Sequence, residues 1–134
     1  MAAVHHITPV QSAVDMSKAL PVVFNILEKW HCTQDEQKLL LGVASRTTLN
    51  KYRSAKGGLN LSRDLLERMS YILNMHKALR KLFTRDDSVY EWVRKPNAHP
   101  FFAGQSAMDV MLNGRVADLY EVSRRLTAFC GGQS

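Results

Sequence analysis

Cysteine is scarce in this chain, and strand-like patterning is missing from it. Cys32 and Cys130 are the two cysteines. They lie far apart in a basic chain, so two reduced thiols are expected rather than a disulfide. The N-terminus, Met1-Ala-Ala-Val-His-His-Ile-Thr-Pro9, has no basic stretch leading into an apolar one and is not a secretory signal. No apolar run approaches the ~18 residues that a membrane-spanning helix needs, so a cytoplasmic protein with no membrane partner is expected. No alternation of apolar and polar residues marks a strand, and no internal repeat is present. The signatures of catalysis are missing too. There is no phosphate-cradling glycine loop and no HExxH, and the cysteines are not spaced as metal ligands. His31 and Cys32 are sequence neighbours, whose side chains diverge on a helix. Asp86-Asp87 sits in a polar turn, where paired carboxylates more often start a helix than work as acid and base. The expectation is a non-enzyme without cofactor or metal.

What is present is a marked unevenness of charge. The 134 residues carry a formal net charge of +6. Residues 1–42 hold three basic and four acidic side chains, residues 43–82 nine basic and two acidic, and residues 83–134 six of each. A basic middle between neutral ends points to a local polyanion-binding face or to a solvated cationic surface, not to a generally cationic protein.

Apolar spacing predicts an all-α chain. Residues 1–15 show no sustained period and read as a frayed arm, with His5 and His6 as weak metal-ligand candidates. Ala19, Val22, Val23, Ile26, Leu27 and Trp30 predict a first helix from about Ser17, its N-cap, to Trp30, with Pro21 tolerated in the first turn. Thr33 with Glu36 three residues on is a capping-box start for a second helix that stops at Gly42. Ser45 caps a third helix, Arg46 to Ser54, with Leu49 and Tyr52 inward. Helix, glycine turn, then a helix with a polar and basic face is the helix-turn-helix pattern. Ser45, Arg46, Thr47, Asn50, Lys51, Arg53 and Lys56 are its DNA-contact candidates. Arginine and asparagine pair with guanine and adenine edges, while hydroxyls and a helix N-terminus suit phosphate. An ordinary helical hairpin with a wet face fits the same pattern.

Two further segments follow, about Ser62–Asn74 and Met75–Phe83, with Asn74 ending or bending the first and His76 on the surface. A polar break, Thr84-Arg-Asp-Asp-Ser88, is read as the boundary between a domain at 16–83 and one at 84–134. The second contains a short helix from Ser88 to Arg94, then an apolar loop with Pro96, Asn97, Pro100, Phe101 and Phe102. A helix from Gln105 to Leu112 ends at Asn113-Gly114, and Val116 to Cys130 closes the chain before Gly131-Gly132. Arg124 and Arg125 near that last C-terminus complement the helix dipole.

Two blocks of residues together resemble the Xre/MbcA/ParS antitoxin family. One is Leu40-Leu-Gly-Val43, Thr48-Leu-Asn-Lys-Tyr-Arg53 and Leu66 through Phe83. The other is Trp92-Val-Arg-Lys-Pro-Asn97, Phe102-Ala-Gly104, Met108-Asp-Val-Met-Leu-Asn-Gly114 and the closing diglycine. The likeness covers about residues 17–132. It implies an N-terminal Xre-like helix-turn-helix domain and a small helical C-terminal toxin-binding domain. It further implies a type II toxin–antitoxin system whose toxin has a RES domain that consumes NAD or uses it for ADP-ribosylation. The antitoxin would block that active site, and a homodimer would bind operator DNA and repress the operon. The chain departs from the pattern in a helix-turn-helix turn one residue longer than the commonest spacing and in the loop Ala98-His-Pro-Phe-Phe102. The toxin-contact candidates are Phe101, Phe102, Tyr120, Arg124, Arg125, Phe129, Gly131 and Gly132. Trp92 reads either as a contact or as a core brace. A stand-alone transcription regulator with a dimerising or sensing C-terminal domain is the alternative, and a plain interaction protein with an inactive helix-turn-helix is a third reading.

Overall fold

The computed structural model describes residues 15–132. The N-terminal arm, including His5 and His6, falls outside these residues apart from Asp15. Seven α-helices are present among them, with no strand. They are α1 (Leu20–Lys29), α2 (Gln34–Leu41), α3 (Arg46–Arg53), α4 (Arg63–Leu82), α5 (Asp86–Glu91), α6 (Ala107–Met111) and α7 (Val116–Thr127). A 3-10 turn, Met16–Ala19, precedes α1, another, Trp92–Arg94, follows α5, and a π-turn, Ala128–Gly132, extends α7.

The start of the first helix differs from expectation. Asp15, not Ser17, is the cap: its carboxylate accepts from the Ser17 backbone N–H at 3.0 Å. Ser17 is buried and turns its hydroxyl to accept the Leu59 N–H at 3.1 Å. The short 3-10 turn leaves Pro21 at the head of the α-helix proper, where its missing N–H costs nothing. The Thr33–Glu36 capping box is present, and Ser45 caps α3 through the Thr48 N–H.

Asn74 neither ends nor bends a helix. Residues 63–82 form one continuous helix of 20 residues. Its apolar positions Leu65, Met69, Ile72, Met75 and Leu79 follow a single stripe through Asn74, which lies on the exposed side and interrupts nothing. The later helices are shorter than the apolar pattern predicts. The segment after Arg85 begins its helix at Asp86 and tightens into 3-10 geometry at Trp92. The next helix starts at Ala107, because Ser106 and Asp109 form a capping box there.

One hydrophobic core runs through the whole described chain. Leu20, Leu27, Trp30, Leu40, Leu49, Met69, Ile72, Leu79, Val93, Phe102, Leu119 and Leu126 are all fully buried members of it. Burying each such side chain is worth about 1.5–3 kcal/mol. α4 is the spine: it packs along α7 and also touches α1, α2 and α5.

Two arginines lace the helix ends together. Arg68, on the buried stripe of α4, donates to the carbonyls of Leu39 (3.1 Å), Leu40 (3.3 Å) and Gly114 (3.0 Å) and pairs with Asp64 at 2.9 Å. It thus satisfies the open C-terminal end of α2 and the turn before α7 with one side chain. Arg94 does the same for the end of α1, donating to the Trp30 carbonyl (3.0 Å), the His31 carbonyl (3.2 Å) and Glu36 (2.8 Å). Gly42 closes α2 in the left-handed region, at φ 66°. A β-carbon there would lie 2.8 Å from both Arg68 Nε and Asp64 Oδ2, so glycine is required twice over.

Candidate functional site: a basic helix face and a C-terminal helix groove

The residues proposed for DNA contact divide by helical geometry. Arg46, Thr47, Asn50 and Lys51 fall on one exposed stripe of α3, and Ser45 and Lys56 flank it. Leu49, on the opposite side, is fully buried. Arg53 lies four residues beyond Leu49 and follows it inward. Its guanidinium donates to Gln37 Oε1 at 2.5 Å and rests over the Phe24 ring at 5.3 Å. Gln37 is itself buried, donating to Glu28 (3.1 Å) and to the Cys32 carbonyl (3.2 Å). Arg53 therefore clamps α3 onto α1 and α2 rather than pointing outward with its neighbours. Periodicity carried the signal: an arginine at i+4 from a core leucine shares its face.

Among the described residues, no carboxylate pairs with Arg46, Lys51, Lys56 or Arg63. Their charge is available to a phosphate backbone. Arg68, the other basic residue of this stretch that could have formed a second DNA face with Arg63, is buried in its carbonyl network. The Lys56-Gly57-Gly58 turn that continues the face is held in place by Asp15, which accepts the Gly58 N–H at 2.7 Å.

The aromatic loop is built, not draped. Asn97 N–H donates to the Gln105 carbonyl and its own carbonyl accepts from Gly104, both at 3.0 Å, while its side chain accepts from His99 N–H at 2.9 Å. That closes the loop and drives Phe102 inward. Phe102 is fully buried, edge-on to Trp92 at 6.0 Å and to Phe101 at 4.9 Å. It supports the loop from beneath and offers no outward surface, which takes it off the accessible contact set. Phe101 is half-buried under the Arg125 guanidinium, 3.7 Å from its centroid, and Arg125 also pairs with Glu121. Phe129 is partly buried against His99, with ring centroids 5.6 Å apart. The Trp92 side chain is half-buried against the core, the bracing role of its two readings.

The outward stripe of α7 carries Tyr120, 44% exposed, and Arg124. Tyr120 packs edge-on to Tyr71 of α4 at 5.6 Å. An open groove of about 540 Å³ runs between α4 and α7 beside this pair and reaches Gly131. Tyr71, Asn74 and Lys81 form its α4 side, and Lys77 lines a smaller hollow that adjoins it; the sequence marks these residues only as part of core helices.

No cluster of three or more metal-ligating side chains occurs among the described residues. No disulfide joins Cys32 to Cys130, and burial pushes the Cys32 thiol up to about 12. His76 is half-buried and stacked on Tyr90 at 5.6 Å rather than lying on the surface. Burial, then the nearby Arg80, lowers its basicity. No described helix is long and apolar enough to cross a membrane.

Comparison with known proteins divides the chain into two modules. Residues 5–74 match the antitoxin Xre-like helix-turn-helix domain, and residues 78–132 match the antitoxin Xre/MbcA/ParS C-terminal toxin-binding domain. The uncharacterized protein y4oB of Sinorhizobium fredii is 41% identical over 125 residues, spanning 93% of this chain and 94% of that one. No solved structure matches. A basic, unpaired stripe on the second helix of a helix-turn-helix, joined through one core to a toxin-binding module, places the chain in the Xre/MbcA/ParS antitoxin family of toxin–antitoxin systems.

Proposed function

We propose that this antitoxin silences a RES-domain toxin, one that consumes NAD or transfers its ADP-ribose, by occupying the mouth of its active site. We further propose that a homodimer uses the α3 face to bind operator DNA and repress its own operon. The observation that carries the first part is the exposed stripe of α7, Tyr120 and Arg124, running into the Gly131-Gly132 end. A diglycine tip has no side chains to clash with a concave mouth. Tyr120 supplies a wide, rigid anchor of the type that dominates binding energy. Phe101, Arg125 and Phe129 support this stripe: Arg125 lies over Phe101 and Phe129 packs on His99, and the two contacts hold the loop against the end of α7. The dimer is supported by symmetry, since operators carry paired half-sites.

The test is co-expression with the product of the adjacent gene. A cut after Arg125 would remove Leu126, which is fully buried, and so would test folding and not contact. A deletion beginning at Gly131 keeps Leu126, Phe129 and Cys130 in place. The neighbouring product should be toxic alone, be silenced by the full chain, and regain toxicity beside the shortened chain. Continued silencing by a folded, shortened antitoxin would refute the plug, and a harmless neighbour would refute the toxin assignment.

A further inference from the structure

The +7 segment does not serve a single face. All twelve acidic side chains lie among the described residues, and each is engaged. Asp35, Glu36, Asp64, Asp86, Asp87, Glu91, Asp118 and Glu121 pair with basic groups. Asp15, Glu28, Glu67 and Asp109 accept hydrogen bonds. The cations left without a carboxylate then fall into groups. One surrounds α3. Another is Lys77 and Lys81, one turn apart on the exposed side of α4, with no ion-pair partner among the described residues.

Lys81 borders the groove between α4 and α7, and Lys77 lines an adjoining hollow that shares Asn74, Lys81 and Thr127 with it. Arg124 lines the same groove as Lys81 from α7, its positive charge shared with Arg125 against the one Glu121 carboxylate. Between the two cationic walls the lining is largely apolar, and the Tyr71–Tyr120 pair closes one end. We propose that this groove docks an acidic segment of the partner toxin. Carboxylates of that segment lie against Lys77, Lys81 and Arg124, and an apolar side chain beside them rests on the tyrosine pair. The proposal rests on the reading that the chain silences a toxin by direct contact, and extends that contact beyond the matched toxin-binding module, which begins at residue 78. Tyr71, Asn74 and Lys77 precede it.

Charge complementarity selects the occupant. In a second copy of this chain eight of the twelve carboxylates already face its own cations, so a partner segment with unpaired acidic residues answers these lysines better. A DNA backbone takes the lysines but makes no use of an apolar floor between them, whereas a protein segment with mixed acidic and apolar residues uses both.

The experiment measures binding of the purified adjacent-gene toxin to full-length antitoxin by calorimetry at two salt concentrations. The variants are Lys77→Glu/Lys81→Glu and Lys77→Gln/Lys81→Gln. Both side chains are exposed and unpaired, so thermal unfolding is expected to match wild type. The reversal should weaken toxin binding about tenfold or more, the neutral pair by less, and the salt dependence seen with wild type should shrink in both. Unchanged toxin affinity in the reversed variant overturns the proposal. Operator affinity falling while toxin affinity holds assigns the lysines to DNA, and loss of self-association alone assigns them to a second copy; each also overturns it. The deletion beginning at Gly131 separates the two readings. If it still silences the toxin, the plug fails, while the lysine variants decide the groove independently. A wild-type chain that binds no toxin sinks both.

Discussion

Arg68 offers the sharpest test of how the two modules are joined. Its guanidinium donates to three backbone carbonyls and pairs with Asp64, and only 7% of the residue is exposed. Hydrogen bonds from a charged donor are worth about 1.5–3 kcal/mol each. Arg68→Ala deletes three of them from the ends of α2 and the turn before α7. Leu39 is 44% exposed at that edge, so water can re-enter and recover part of the loss. Asp64 is half-exposed and is not stranded as a buried charge. The net cost should be about 3–4 kcal/mol, near the upper end for one substitution and a large share of the ~5–15 kcal/mol that holds a domain together. For a chain of this size that lowers the melting temperature by about 10–15 °C. Urea denaturation followed by circular dichroism should show a lower midpoint with an unchanged slope. Arg63→Ala, exposed and unpaired in the same helix, should stay within about 0.5 kcal/mol of wild type. Gly42→Ala forces a left-handed residue at about 1–2 kcal/mol and pushes its β-carbon into the same guanidinium. Combined with Arg68→Ala it should therefore cost less than the sum of the two, by on the order of 1 kcal/mol. An Arg68→Ala protein within about 1 kcal/mol of wild type would refute this reasoning, because the carbonyls would then have been satisfied equally well by water.

Replacing Arg46 and Lys51 together with alanine should abolish operator binding in a gel-shift titration while leaving the unfolding midpoint unchanged; retained, salt-dependent binding would move the DNA face off α3. Cys32 should resist alkylation in the native protein, since burial has pushed its thiol up to about 12; rapid modification without denaturant, read by peptide mass spectrometry, would contradict the burial. Hydrogen bonding from Arg94, above all, and from the Thr33 N–H holds the Glu36 carboxyl below its ordinary 4.5. Its stabilising contribution is therefore complete above that pH and lost as pH falls below it through the lower folded value. Glu36→Gln should flatten the dependence of the urea midpoint on pH in that acid range, and an unaltered profile would show that the pair contributes nothing.

Much of the fold could be read before any coordinates because the deciding information was local. The capping box at Thr33 and Glu36, the Ser45 cap and the Gly42 stop are each set within a few residues. The inward side of α3 is equally local in Leu49, but Arg53, read as a DNA contact, turns inward onto Gln37 and Phe24, partners that its own segment does not name. Nonlocal partners were not legible. The capping of α1 by Arg94 joins positions 64 residues apart, and nothing near Arg94 announces it. Asn74 looked like a stop because asparagine disfavours helix interiors by a few tenths of a kcal/mol. The burial of Met69, Ile72, Met75 and Leu79 on one continuous face outweighs that preference. In the loop from Pro96 to Gly104 both Phe101 and Phe102 are toxin-contact candidates, because its sequence has no period to say which aromatic turns inward. Closure by Asn97 decides it, in favour of Phe102.

The charge pattern shows why totals mislead in a protein of this kind. Arginine and lysine count equally toward +6, yet the fold uses them differently. Arg53, Arg68, Arg94 and Arg125 are spent on interior acceptors and aromatic faces, where a planar fork of donors can satisfy several groups at once. Lys51, Lys56, Lys77 and Lys81 remain exposed with no carboxylate opposite. A lysine's compact, strongly hydrated charge makes a poor interior cap and a good surface one. The functional surface is therefore the residue left after internal pairing is subtracted, and that remainder separates into an α3 face and an α4 face on one rigid core. Two acidic partners could then be met by one small chain without competing for the same cations, which the proposed pairing of operator binding with toxin binding requires.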